Sequence, residues 1–173
     1  MAFKSPRQEA DWQSIDDGVM GGISQSTFRI LSEHIAKFSG TVSLANNGGF
    51  ASVRTGLDRI DLSVCSGFKI RVKGDGKTYS FRVRQDNNFD GVAYQIKFDT
   101  LKNEWVEIDL PFDRFEATYR GRMLSDAKPL EPNQIRQIGF LISDKQAGRF
   151  ELLIDWVKTV MTSEISPARD LRN

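Results

Sequence analysis

Phe68-Lys69-Ile70-Arg71-Val72-Lys73 and Tyr79-Ser80-Phe81-Arg82-Val83-Arg84 are the two stretches whose reading decides the fold class. In each, apolar residues alternate with a cation or a serine. A strand turns successive side chains to opposite faces, so each run buries one face and wets the other. The same two-residue period recurs in Val92, Tyr94, Ile96 and Phe98, and again in Phe150, Leu152, Ile154 and Trp156. Shorter strands are predicted over residues 27–31, 35–44, 50–55, 105–110 and 137–142. About ten strands, spaced by roughly 8–15 residues, predict an all-β sandwich or barrel.

Turn formers separate these runs. Asn46-Asn47-Gly48-Gly49 supplies residues that tolerate positive φ, and Asp86-Asn87-Asn88 marks a later reversal. Gly74-Asp75-Gly76 reads as a hairpin turn that makes 68–73 and 79–84 neighbours, and residues 144–148 read as a second hairpin. With Lys77 the glycine pair superficially suggests a phosphate loop. That loop needs a different glycine spacing and a following helix, whereas an alternating strand follows here. Helix is confined to single turns near residues 9–15 and 132–137. No strand–helix rhythm points to a parallel sheet.

The 173 residues fit one domain, with the core expected over residues 12–160 and a mobile tail over 162–173. Twenty-four basic residues against 23 acidic leave a net charge of +1, without the basic excess that nucleic-acid binding requires. Cys65 stands alone, so no intrachain disulfide forms and a reducing compartment is expected. His34 is the single histidine, so a zinc site with two or more histidines cannot come from one chain. No run approaches the ~18 apolar residues of a membrane helix, so no direct insertion is expected. The polar first ten residues lack the apolar region of a secretory signal, and a cytosolic protein is expected.

Several segments carry candidate chemistry. Asp16-Asp17-Gly18-Val19-Met20-Gly21-Gly22-Ile23-Ser24 packs two acids among glycines. Its carboxylates either accept backbone N–H groups or, with clustered oxygens, bind a cation such as calcium. Asp155 interrupts an apolar final strand and needs a partner: an arginine, a backbone nest or a cation. Asp17 and Asp155 are therefore the candidate ligands of a structural cation; no other cofactor is expected. Arg82 and Arg84 project from one strand face, where guanidinium groups can hold planar oxygens bidentately. With Tyr94 and Gln95 they form the candidate binding face, and Arg54, Arg120 and Arg122 the candidate rim. Arg120 or Arg122 has an alternative role in an internal salt bridge that orders its loop. Tyr94, Trp105 and Arg82 offer a sugar platform as an alternative. Glu104, Glu107 and Asp109 are the carboxylates a glycosidase reading would use, but no fixed spacing marks a catalytic pair among them.

Motifs along the chain together resemble a known family. They are Asp17-Gly18-Val19-Met20-Gly21-Gly22 with Ser24 and Ser26, Phe38-Ser39-Gly40-Thr41-Val42-Ser43-Leu44, and Asn47-Gly48-Gly49-Phe50-Ala51-Ser52-Val53-Arg54. Residues 71–79, Leu110-Pro111-Phe112, Arg120-Gly121-Arg122, Ile138-Gly139-Phe140 with Asp144-Lys145-Gln146, and Ile154-Asp155-Trp156 continue the series. In this order they resemble the NADH:ubiquinone oxidoreductase complex I intermediate-associated protein 30 family, over residues 12–160. The resemblance implies a jelly-roll sandwich of two antiparallel sheets, galactose-binding-domain-like and related in architecture to carbohydrate-binding modules. It implies a non-enzymatic assembly factor whose partners are protein subunits of a membrane-associated electron-transfer complex, with a carbohydrate or small ligand as the alternative. Eukaryotic members are mitochondrial chaperones, and photosynthetic relatives carry a fused nucleotide-binding domain. With neither a presequence nor that domain in view, a free-standing bacterial, cytoplasmic member is expected.

Overall fold

The computed structural model describes residue 9 and residues 11–31, 34–58 and 60–162. In chain order its strands are β1 (Gln13–Ser14), β2 (Gln25–Ile30), β3 (Ala36–Val42), β4 (Ala51–Gly56), β5 (Cys65–Lys73) and β6 (Thr78–Arg84). They continue with β7 (Ala93–Asp99), β8 (Trp105–Pro111), β9 (Glu116–Tyr119), β10 (Arg122–Met123), β11 (Gln137–Ile142) and β12 (Gly148–Met161). A seven-stranded sheet runs β1-β4-β11-β6-β7-β9-β10, and a five-stranded sheet runs β2-β3-β12-β5-β8. Between Asp11 and Thr162 the helical elements among the described residues are short 3-10 turns, one of them at Pro132–Gln134, where a single turn is expected from the sequence. The expected tail lies, beyond Thr162, outside the described residues.

The apolar members of the two opening runs meet between the sheets. Phe68 of β5 lies 5.2 Å from Phe81 of β6 between ring centroids, and Tyr79 lies 6.4 Å from Phe150 of β12. Phe81 also packs edge-on against Phe140 of β11. Phe38, Phe81, Phe140, Ile70, Val72, Leu152 and Ile154 are wholly buried. Burying such side chains contributes about 1.5–3 kcal/mol each, the main favourable term for a fold of this kind.

The expected hairpin at Gly74-Asp75-Gly76 is corrected by the topology. β5 and β6 lie in different sheets, and this segment carries the chain across the sandwich edge. Asp75 anchors the corner: its carboxylate accepts from Tyr79 Oη at 3.0 Å, Lys77 N at 3.1 Å and Glu151 N of β12 at 3.1 Å. The segment at 144–148 likewise joins β11 to β12 across sheets rather than within one. Alternation gives the buried face of a strand but not its sheet, because both sheets turn their apolar faces to one core.

A second correction falls in β12. Its pairing with β5 slips between Ile154, opposite Val72, and Trp156, opposite Arg71. The extra residue, Asp155, forms a bulge that reverses the phase. Val157 is therefore buried, while Trp156, which the alternation places beside Ile154, is only half-buried.

The acidic segment at 16–17 ties the two sheets together. Asp16 accepts from Ser26 N and Oγ, both at 2.7 Å, and from Ser52 N at 3.1 Å. Asp17, fully buried, accepts Ser24 N at 2.8 Å, Gly49 N at 2.7 Å and Phe50 N at 3.3 Å, together with the Ser24 hydroxyl. Ser26 opens β2 and Ser52 lies in β4, one strand from each sheet. Gly22 and Gly48 make room for this carboxylate: a Cβ would stand 2.3 Å from Asp17 Oδ1 at Gly22, and 2.6 Å from Oδ2 at Gly48. Burial pushes the Asp17 carboxyl up, but the combined bonds from Ser24, Gly49 and Phe50 outweigh it and hold the group below the usual carboxylate range.

Candidate functional site

Register places one row of side chains across the outer face of the seven-stranded sheet. Gln13 pairs with Arg54, Arg54 with Gly139, Gly139 with Arg82, Arg82 with Gln95, and Gln95 with Glu116. Because Phe81 and Val83 point into the core, Arg82 and Arg84 point outward from β6. Arg54 and Arg82 thus flank Gly139 at two strand spacings, about 10 Å. Gly139 itself puts no side chain between them, and none can be added there without moving backbone: a Cβ on Gly139 would lie 2.3 Å from the Val53 carbonyl oxygen.

This face is a recessed floor. Ser80, Ala93, Thr118, Gln137 and Leu141 occupy outward positions yet are buried, so higher structure surrounds them. Gln137 Nε2 donates to the carbonyls of Asp86 and Asn88, fixing the β6–β7 loop above the floor. Phe89 from that loop is 63% exposed and lies over the Arg54 guanidinium at 4.9 Å. Beside it opens a cleft of about 350 Å³ lined by Gln13, Arg54, Thr55, Asn87, Phe89 and Gln137, among others.

The three arginines lack carboxylate partners. No ion pair joins Arg54, Arg82 or Arg84 to any acid among the described residues. Arg54 and Arg84 instead donate to the carbonyls of Phe89 and Gly91, each at 2.9 Å. Arg82 Nε is buried with no partner. Burial, joined by repulsion from Arg84 and Arg54, pulls the Arg82 guanidinium down to about 10. Burial lowers Arg54 and Arg84 as well; Asp86 and Asp90 oppose the shift but bond neither guanidinium.

The other expected site residues are distributed differently. Gln95 sits beside Arg82 in the row. Tyr94, expected on the same face, is its neighbour in sequence and so points the other way: it lies in the core, its hydroxyl donating to the Lys128 carbonyl at 3.0 Å. Trp105 is on β8 of the other sheet, so the sugar platform of Tyr94, Trp105 and Arg82 is not assembled. Arg120 takes the loop-ordering role, bonding Asp90 through Nε at 3.1 Å and Nη2 at 2.6 Å. Arg122 is exposed on the edge strand β10.

The paired-cation expectation for Asp17 and Asp155 is corrected too. Asp17 is saturated by protein donors, and Asp155 pairs with Arg71 on the five-stranded sheet. No group of three or more His, Cys, Asp or Glu side chains suited to a metal occurs among the described residues. Glu107 and Asp109 of β8 lie beside Lys69 at 4.0 and 3.4 Å, as surface ion pairs. Sequence reasoning missed Gln13, Phe89, Gln137 and Gly139. The last had a signal: a glycine inside the apolar run Ile138-Gly139-Phe140 marks a close backbone approach.

Fold and face define an all-β sandwich of two antiparallel sheets with a recessed, arginine-bearing outer face. A family 11 carbohydrate-binding module from a Clostridium thermocellum cellulase superposes with a TM-score of 0.70 at 18% identity, over 87% of this chain and 88% of that one. Such a likeness establishes the sandwich alone. The chain belongs to the complex I intermediate-associated protein 30 family, whose model matches residues 1–154. The mouse mitochondrial complex I intermediate-associated protein 30 is 35% identical over 92 residues, which are 51% of this chain and 28% of the mouse protein. Its Drosophila melanogaster counterpart is 23% identical over 177 residues, 90% of this chain and 60% of the fly protein. The chain thus matches less than two thirds of either relative. The expectation of a cytoplasmic bacterial protein is overturned here, since the mouse, fly and Neurospora crassa relatives are all named mitochondrial.

Proposed function

We propose that this chain is a non-catalytic assembly module that holds a protein subunit of complex I while the complex is built. Family membership supports the process, and the unpaired arginine row supports the surface. A domain that keeps three guanidinium groups half-buried and without acids on a recessed face maintains an unfavourable arrangement in isolation. A partner that supplies the missing acceptors makes the arrangement favourable, and it does so without a cofactor or a reacting group. The working residues are Arg54, Arg82, Arg84 and Gln95, with Arg122 at the rim.

Affinity capture from native cells tests this reading. The wild-type chain is expected to retrieve complex I subunits identified by mass spectrometry, and Arg82→Ala/Arg84→Ala to retrieve at least about tenfold less, as for loss of charge-assisted contacts. Equal retrieval by the double variant rejects the face. Retrieval of no complex I subunit by either protein rejects the partner.

A further inference from the structure

Between Arg54 and Arg82 the floor is bare backbone at Gly139, and Arg84 lies one side-chain repeat along β6. Arginines on the two neighbouring strands therefore flank a position that carries no side chain. Arg82 Nε, the deepest donor there, bonds nothing. Glu116, the one acid in the register row, sits at its far end beyond Gln95 and forms no ion pair with an arginine of the row. Asp90, which the field of Arg54 and Arg84 also reaches, is held by Arg120.

We propose that the gap above Gly139 is a carboxylate-binding site, filled by a glutamate or aspartate side chain from an acidic segment of the partner protein. The inference rests on the partner-binding reading above and names the group that is recognised. Width is the first argument. Arg54 and Arg82 leave strands about 10 Å apart, and a carboxylate bonded on both sides at about 2.8 Å per bond spans about 8 Å, which side chains of this length can close upon. Geometry is the second: the planar Arg82 guanidinium carries paired N–H groups as a fork, which matches the two coplanar oxygens of a carboxylate. The neighbouring cleft is the third. Gln13, Thr55, Asn87 and Gln137 line it with neutral donors and acceptors that suit the amide groups flanking an acidic side chain, while Asp11 on the same wall disfavours an acid in the cleft itself.

The test is titration of the full chain with a blocked octaglutamate peptide, with octaglutamine, inorganic phosphate and an oligogalacturonate as the comparison ligands. Octaglutamate is expected to bind saturably and the others at least about tenfold more weakly, because only it combines the carboxylate with a peptide backbone. Arg82→Gln is expected to weaken octaglutamate about tenfold or more, and Arg82→Lys to recover only part, since lysine keeps the charge and loses the fork. In the wild-type protein the Arg82 Nε–H resonance is expected to move on octaglutamate addition. Octaglutamine binding as tightly overturns the proposal. So does wild-type affinity in either variant, an unmoved Nε–H signal at saturation, or preference for phosphate or oligogalacturonate. Failure here with complex I subunits still captured leaves the partner reading standing. Octaglutamate binding without capture of those subunits removes the partner and keeps the site.

Discussion

Asp17 and Arg82 are both charges withdrawn from water, and the chain surrounds them in opposite ways. Asp17 receives N–H groups from Ser24, Gly49 and Phe50 and the Ser24 hydroxyl, with glycines at 22 and 48 cut to its outline. Arg82 receives nothing at Nε, and the charges that act on it are two more arginines, Arg84 and Arg54. A buried ion that the fold itself needs is met by partners supplied in the same chain. One whose complement lies in another molecule has to be left open. On the proposed reading, the difference separates a charge that closes the sandwich from one that is left for a ligand.

The largest effect is expected at Asp17. Asp17→Ala strands several buried donors at once, so chemical denaturation should show a loss of about 3 kcal/mol or more, with a melting temperature lower by roughly 6–12 °C. The same carboxyl contributes to the acid limb. Its folded value lies below the ordinary one, so the unfolded chain takes up this proton first as pH falls. The contribution is complete above about pH 4 and disappears as pH drops through the folded value. Asp17→Asn should flatten that limb. A variant with wild-type stability, or with an unchanged acid limb, breaks the contrast from the Asp17 side.

Arg82 carries the opposite sign. Arg82→Met keeps the aliphatic stem that packs on the floor and removes the uncompensated charge, so the free protein should gain about 1–2 kcal/mol. The same variant should lose partner capture. A gain in stability with a loss of function distinguishes a binding residue from a structural one, and a destabilised Arg82→Met gives the row a structural role instead.

The sequence made these two charges legible to different depths. Alternation in 68–73 and 79–84 was enough for an all-β sandwich, because a period of two is a property of the single strand. It could not separate the sheets, so β5 and β6 were misread as neighbours. It identified Arg82, Arg84 and Gln95 as an outward set on adjacent strands, while Tyr94 could not share that face with Gln95 and lies in the core. Arg54 reaches the row only through β11, whose place between β4 and β6 is set by a connection of long range. The partner of Asp155 was equally out of reach: an arginine was among the options, and the bulge that points the carboxylate at Arg71 is a register slip with no local signature.

The smallest effect sharpens the contrast most. Arg71 lies on the outer face of the other sheet, paired with Asp155 and stacked 4.9 Å from the Trp105 ring, and about a third exposed. An ion pair in that setting contributes about 0.5 kcal/mol or less, and the contact with the aromatic face about as much. Arg71→Met should therefore lower stability slightly, by less than about 1 kcal/mol, and leave partner capture unchanged. The sign is what matters, because Arg71→Met and Arg82→Met make the same chemical change on two outward strand faces. If both variants gain stability, removing an arginine is favourable anywhere on this sandwich and the open charge at Arg82 has no special meaning. If Arg71→Met loses stability while Arg82→Met gains it, the chain has balanced one face internally and left the other to be completed by what binds there.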